Sequence, residues 1–134
     1  MRAMTEQQRI GKKGERIAAR YLRRQGFRVI ARNRNVGRNE LDIIAKNKQY
    51  ILFVEVKTRS FASPKYTEGR PSDAVGRAKR LRTAQAALDY LREHPTKRCP
   101  RLDVIEVYLD RSKHYKPFKI NHIPAAFSAT GAIL

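Results

Sequence analysis

The stretch Tyr50-Ile51-Leu52-Phe53-Val54-Glu55-Val56-Lys57-Thr58 reads as a strand whose two faces differ. Side chains alternate along a strand, so Leu52, Val54 and Val56 form one wholly apolar face. Ile51, Phe53, Glu55 and Lys57 form the other, which starts apolar and ends with a carboxylate and an amine. A buried or half-buried strand does not carry two such charges without a reason, because each must be desolvated or paired.

Beyond this strand, Ser60 to Pro71 reads as a loop rich in Ser, Pro and Gly. Ser72 can cap a helix running to about Arg92, with Val75, Ala78, Leu81, Gln85, Leu88 and Leu91 along one face and Pro95 beyond its end. Leu102 to Leu109 is the next strand. Strand, helix and strand then form a βαβ unit with parallel strands and a right-handed crossover. Upstream, Phe27 to Arg32 and Leu41 to Ala45 read as strands, separated by a polar, basic turn over residues 33–39. Asn47-Lys48 lies at hairpin distance before the central strand. The chain begins with a helix: Thr5 and Gln8 make a capping box, Ile10, Gly14, Ile17, Ala18, Tyr21 and Leu22 recur at helical spacing, and Gly26 stands where a C-terminal cap belongs. Gly11 and Gly14 inside this helix suggest either close packing or simple tolerance. Phe118 to Ile120 reads as a short fifth strand and Ala125-Ala126-Phe127 as one helical turn. The expected fold is a single α/β domain over residues 1–134, with an antiparallel meander joined to a parallel strand in one mixed sheet.

Thirty Lys and Arg face twelve Asp and Glu, a formal net charge of +18. Such an excess repels itself in the compact state and suits a polyanionic partner whose counterions are released on binding. No single basic amphipathic helix holds the charge, which argues against a membrane surface. The lone Cys99 excludes an intramolecular disulfide and fits a reducing compartment. The polar start of the chain resembles no secretory leader, and the run Ile51 to Val54 is too short to span a bilayer, so the cytoplasm is the expected location.

A two-residue hairpin at Asn47-Lys48 would set Asp42 opposite Phe53 and Glu40 opposite Glu55. Asp42 and Glu55 would then be diagonal neighbours on one face, about 7–8 Å apart. A four-residue loop keeps the same parity, whereas an odd loop without a bulge would throw Asp42 to the other face. Two converging carboxylates in so basic a chain suggest a hard divalent cation, Mg²⁺ or Mn²⁺. Lys57 could stabilise developing charge beside it, and Glu15 on the first helix could add a ligand. Spacing alone equally allows a salt bridge among Glu55, Lys57 and a neighbouring Arg. Asp103, opening the fourth strand, reads as an anchor for a turn or an Arg. Phe61, Lys65, Tyr66 and Arg70 mix aromatics and cations as a strand-gripping loop would, and as an ordinary mobile loop also does. Lys79, Arg80 and Arg82 read as a solvated or phosphate-facing helix surface.

Gly14-Glu15, Arg32-Asn33, Glu40-Leu41-Asp42, the run Phe53 to Arg59, Ala74-Val75, Lys79 and Asp103-Val104 together resemble the YraN-like family of bacterial proteins. The resemblance runs from about Gly11 to Phe127. That family in turn resembles the PD-(D/E)XK nucleases, especially archaeal Holliday junction resolvases. The resemblance implies a restriction-endonuclease-like fold and metal-dependent phosphodiester hydrolysis. It implies Asp42 and Glu55 as metal ligands, Lys57 as the catalytic lysine and Glu15 as the helix acid. Leu41 stands where the superfamily has Pro, and Asn39 where many relatives have Gly, yet every charged position is filled.

The leading expectation is therefore a Mg²⁺- or Mn²⁺-dependent DNA endonuclease, with branched DNA as one substrate. Arg34, Arg38, Arg59, Lys65, Arg70 and Lys79 are its candidate nucleic-acid contacts, and a homodimer is compatible with it. The alternatives are a non-catalytic DNA- or RNA-binding protein of the same fold and a structural protein whose basic surface meets RNA or ribosomes.

Overall fold

The computed structural model describes residues 3–66 and 76–128. Helix α1 (Glu6–Arg24) is followed by strands β1 (Arg28–Val36), β2 (Asn39–Lys46) and β3 (Tyr50–Phe61), helix α2 (Arg77–Glu93), and strands β4 (Cys99–Asp110) and β5 (Lys116–Ile123). The strands form one sheet in sequence order. The β1–β2, β2–β3 and β4–β5 pairs are antiparallel and β3–β4 is parallel, as the βαβ reading requires.

The two faces of β3 set the layers. Leu52 and Val54 pack with Ala18, Ala19 and Leu22 of α1 and with Ile105, Val107 and Leu109 of β4. Ile51 and Phe53 pack with Ala86, Ala87 and Tyr90 of α2. The sheet thus lies between one helix on each side, with an apolar cluster on each face.

Helix α1 starts on the expected capping box, Thr5 Oγ1 accepting from Gln8 N–H and Gln8 Oε1 from Thr5 N–H. It ends at Gly26 (φ +92°), with Gly26 N–H bonding Arg23 O and Phe27 N–H bonding Leu22 O, the paired closure of a left-handed glycine cap. The two internal glycines behave differently. A Cβ at Gly11 would meet nothing within 4 Å, whereas one at Gly14 would come within 1.8 Å of Thr58 Oγ1.

Several sequence expectations are corrected. The basic segment 33–39 is mostly strand: β1 continues to Val36, and the chain reverses at Gly37 (φ +60°) and Arg38. Helix α2 opens at Arg77 behind Gly76, which makes no side-chain cap; Ser72 lies outside the described residues. The buried face of α2 is Thr83, Ala84, Ala86, Ala87 and Tyr90, while Leu81 and Leu88 are 39% and 46% exposed. Small residues let the helix approach the sheet closely, so the larger Leu81 and Leu88 are rotated off it. Ala125-Ala126-Phe127 is not a helical turn: Ala126 N–H bonds Leu102 O, and Phe127 is buried against Ala84 and Val104. Strand β3 runs on to Phe61, and a 3-10 turn spans Pro64–Tyr66. Among the described residues no helix is long and apolar enough to cross a membrane.

Candidate functional site

The β2–β3 connection is longer than the two residues at Asn47-Lys48. Lys46 pairs with Ile51, and Ile44 with Phe53. Asn47 Oδ1 accepts from Gln49 N–H and Tyr50 N–H, an Asx turn that holds the wider loop. The loop stays even, so the face parity survives, but the register moves. Asp42 is not opposite Phe53. One step past the last ladder pair, Ile43 and Val54, it lies across from Glu55. Asp42 Oδ2 accepts from Val56 N–H at 2.9 Å.

Both carboxylates are buried, Asp42 8% and Glu55 5% exposed. They are close enough to hydrogen-bond to each other. Burial raises the Asp42 carboxyl above its ordinary range, against the pull of the Val56 N–H and the Lys79 charge. Burial and then the charge of Asp42 push Glu55 up to about 7, against the opposing pull of Lys79. Helix α2 crosses above the pair: Lys79 Nζ is 3.3 Å from Glu55 Oε1. Thr83 Oγ1 lies 3.0 Å from the Lys79 carbonyl and 3.4 Å from Glu55 Oε2.

Lys57 follows Glu55 on the same face of β3, half-buried, and forms no ion pair with a described residue. In the parallel register it is beside Glu106 of β4, a buried carboxylate that accepts from Asn121 Nδ2 at 2.7 Å. Glu15 comes from α1, which Gly14 seats against Thr58. Burial raises its carboxyl, the Asp42 charge adds to this, and Lys12 and a hydrogen bond with Asn33 oppose it. One Glu15 oxygen, Oε1, is buried without a hydrogen bond, and Lys12 Nζ is 4.0 Å away.

Sequence reading missed Asn33, Thr83 and Glu106 as members of this neighbourhood. Asn33 adopts φ +50° in the middle of β1, a conformation Asn tolerates better than most residues, and its Oδ1 is also buried without a partner. An Asn within an otherwise strand-like basic run is the available signal. Glu106 alternates with Val104 and Tyr108 on one strand face, so its spacing resembles that of any half-exposed strand.

The predicted nucleic-acid residues that the structure describes come from several elements. Arg34 sits on exposed β1, 5.7 Å over the Tyr90 ring, and Arg38 is exposed in the β1–β2 turn. Arg59 is half-buried on β3, and Lys65 is exposed in the 3-10 turn. Arg70 lies outside the described residues. Lys79, read as a solvated or phosphate-facing side chain, is 44% exposed and also reaches Glu55, because the first turn of α2 crosses that part of β3. Asp103 is an anchor, as expected. It takes both Arg101 Nε (2.9 Å) and Nη2 (2.8 Å), His122 Nε2 (2.7 Å) and Ala125 N–H (3.0 Å).

Among the described residues, no three of His, Cys, Asp and Glu converge closely enough to form a metal cage. The oxygen donors present are the Asp42–Glu55 pair, with Glu15 Oε1 left over. Two carboxylates with open positions suit Mg²⁺, which keeps several waters and bridges to substrate phosphates. The donor chemistry and the burial of both carboxylates therefore fit a divalent ion.

Fold and site together define an α/β protein with a central mixed sheet and a buried acidic pair where β2 meets β3. The chain belongs to the uncharacterised protein family UPF0102, whose model matches residues 14–107. That span holds Glu15, Asn33, Asp42, Glu55, Lys57, Lys79 and Thr83. The chain is 42% identical over 123 residues to a UPF0102 protein of Syntrophotalea carbinolica, covering 91% of this chain and 94% of the relative. It is 40% identical over 129 residues to one of Chlorobaculum tepidum (92% and 95%) and 41% over 128 residues to one of Myxococcus xanthus (95% and 95%).

Proposed function

We propose that this chain is a divalent-metal-dependent nuclease of restriction-endonuclease-like type, hydrolysing DNA phosphodiesters. One observation carries the reading: Asp42 and Glu55 are buried side by side within hydrogen-bonding reach, burial raises both carboxyls, and the Asp42 charge adds to the rise of Glu55. A cation would offset the charge of the pair, and strongly perturbed titratable groups cluster at functional sites. Asp42 and Glu55 would hold Mg²⁺ or Mn²⁺, which supplies Lewis acidity and positive charge at the scissile phosphate. Lys57, without a carboxylate partner among the described residues, would set its ammonium against the charge that develops on the phosphate oxygens. Glu15 would fix water at the edge of the site through its unpartnered oxygen. The net charge of +18 supports a nucleic-acid substrate.

A second reading, a DNA- or RNA-binding protein of the same fold without turnover, is favoured by one contact: Lys79 already neutralises part of the Glu55 charge. Cleavage assays on labelled duplex, single-stranded, flap and four-way DNA with Mg²⁺ or Mn²⁺ separate the two. Metal-dependent cleavage of any of them supports the nuclease. Tight binding without cleavage across the panel supports the binder.

A further inference from the structure

Lys79 is the one cation that the described residues bring within ion-pair range of Asp42 or Glu55. Its contact is one-sided. The Glu55 side chain is 7% exposed, whereas that of Lys79 is 44% exposed, so the ammonium can leave for water without dragging other groups with it. Two carboxylates together carry twice the charge that one ammonium offsets. A divalent ion matches that charge, but it and an ammonium cannot share Glu55 without repelling each other at this range. Thr83 touches both the Lys79 carbonyl and Glu55 Oε2.

We propose that Lys79 is a built-in competitor for the metal: it occupies Glu55 while the site is metal-free, and a divalent cation displaces it, releasing its ammonium toward a substrate phosphate. The proposal rests on the metal-binding reading above. It assigns Lys79 a role that a plain phosphate contact does not have, since removing it should strengthen metal binding rather than leave it unchanged.

The test is calorimetric titration with Mg²⁺ at pH 8.0, without DNA, on wild type, Lys79→Gln and Lys79→Arg. Circular dichroism checks that each is folded. Lys79→Gln should bind Mg²⁺ about tenfold or more tightly than wild type, the direction expected when a like charge leaves a partly buried site. Lys79→Arg keeps the cation and should remain close to wild type. Equal or weaker binding by Lys79→Gln, with wild type binding measurably, overturns the competitor and leaves the metal site standing. Binding by neither protein overturns the metal site, and the competitor with it. Should Lys79→Gln not fold, the side-chain ¹⁵N resonance of Lys79 in the wild type gives the answer. On adding Mg²⁺ it should move to the position of solvent-exposed lysines, and an unmoved resonance while metal binds would overturn the proposal.

Discussion

Gly14 of α1 and Thr58 of β3 are in such close contact that a Cβ on Gly14 would lie 1.8 Å from Thr58 Oγ1 and 2.8 Å from Thr58 Cβ. No rotamer of a β-branched side chain clears both atoms. Gly14→Ala should therefore destabilise the protein by about 1–3 kcal/mol of overpacking, less the ~1 kcal/mol gained in helix propensity. Urea unfolding of Gly14→Ala, Thr58→Ala and the double variant checks this. Thr58→Ala removes the nearest atom, so Gly14→Ala should cost less in that background. Equal costs in both backgrounds would mean that the contact does not set the helix position.

Asp103 gives an acid limb to stability. Burial alone would raise its carboxyl, but His122, Arg101 and the Ala125 N–H together hold it below the ordinary range. A depressed carboxylate contributes stability that is present above the unfolded-state value and lost as pH falls through the folded one. Asp103→Asn should cost about 3–5 kcal/mol at neutral pH, the usual result of breaking a buried pair from one side. Its stability should then fall less steeply than that of wild type below about pH 4. Parallel limbs for the two proteins would contradict the role given to Asp103.

Glu55 works in the opposite direction. Its carboxyl titrates near 7 when folded and in the ordinary range when unfolded. Between those values the native state holds a proton that the unfolded chain has released, so stability falls as pH rises. Glu55→Gln should be more stable than wild type at pH 8 by roughly 3–4 kcal/mol, at ~1.4 kcal/mol per unit. The advantage should shrink toward pH 4.5. Guanidinium unfolding at both pH values measures it, and a pH-independent difference would show that Glu55 is not held protonated by burial and Asp42.

Nucleic-acid affinity should drop steeply with salt. If six to ten phosphates are contacted, the loss between 50 and 200 mM is about 10³–10⁵. Fluorescence anisotropy with a labelled duplex in EDTA reads this without cleavage. An affinity flat across the range, or no binding at low salt, would remove the polyanion from the account.

The fold was legible in the sequence because β3 shows both of its faces: an apolar row on one side, and apolar then charged on the other. That pattern, with the capping box at Thr5 and the glycine at Gly26, was enough for the order of elements and the mixed sheet. The register was not legible, because Asn47 builds its turn from a side-chain hydrogen bond that loop length alone does not announce. The Asp42–Glu55 juxtaposition was nevertheless reachable, since any even loop keeps both on one face. The face of α2 was misread for a different reason. Leu81 and Leu88 are conspicuous apolar residues at helical spacing, but close approach to Phe53 favours the alanines between them, and of the expected row Leu91 does pack against that cluster. Asn33 and Glu106 enter the neighbourhood through backbone conformation and cross-strand register, which spacing within one element does not encode.

Single-turnover cleavage of a labelled DNA substrate in Mg²⁺, by wild type beside Asp42→Asn, Glu55→Gln and Lys57→Ala, decides whether the acidic pair holds a catalytic metal. Wild type should cleave. Asp42→Asn and Glu55→Gln should lose cleavage while their metal-free DNA affinity holds or rises, because each removes a negative charge that faces the phosphates. Lys57→Ala should keep metal binding and slow the chemical step by about 10²–10³-fold, the worth of one charge-stabilising donor. Cleavage that survives Asp42→Asn and Glu55→Gln, or a wild type that neither binds Mn²⁺ nor cuts any DNA offered, would contradict a catalytic metal there.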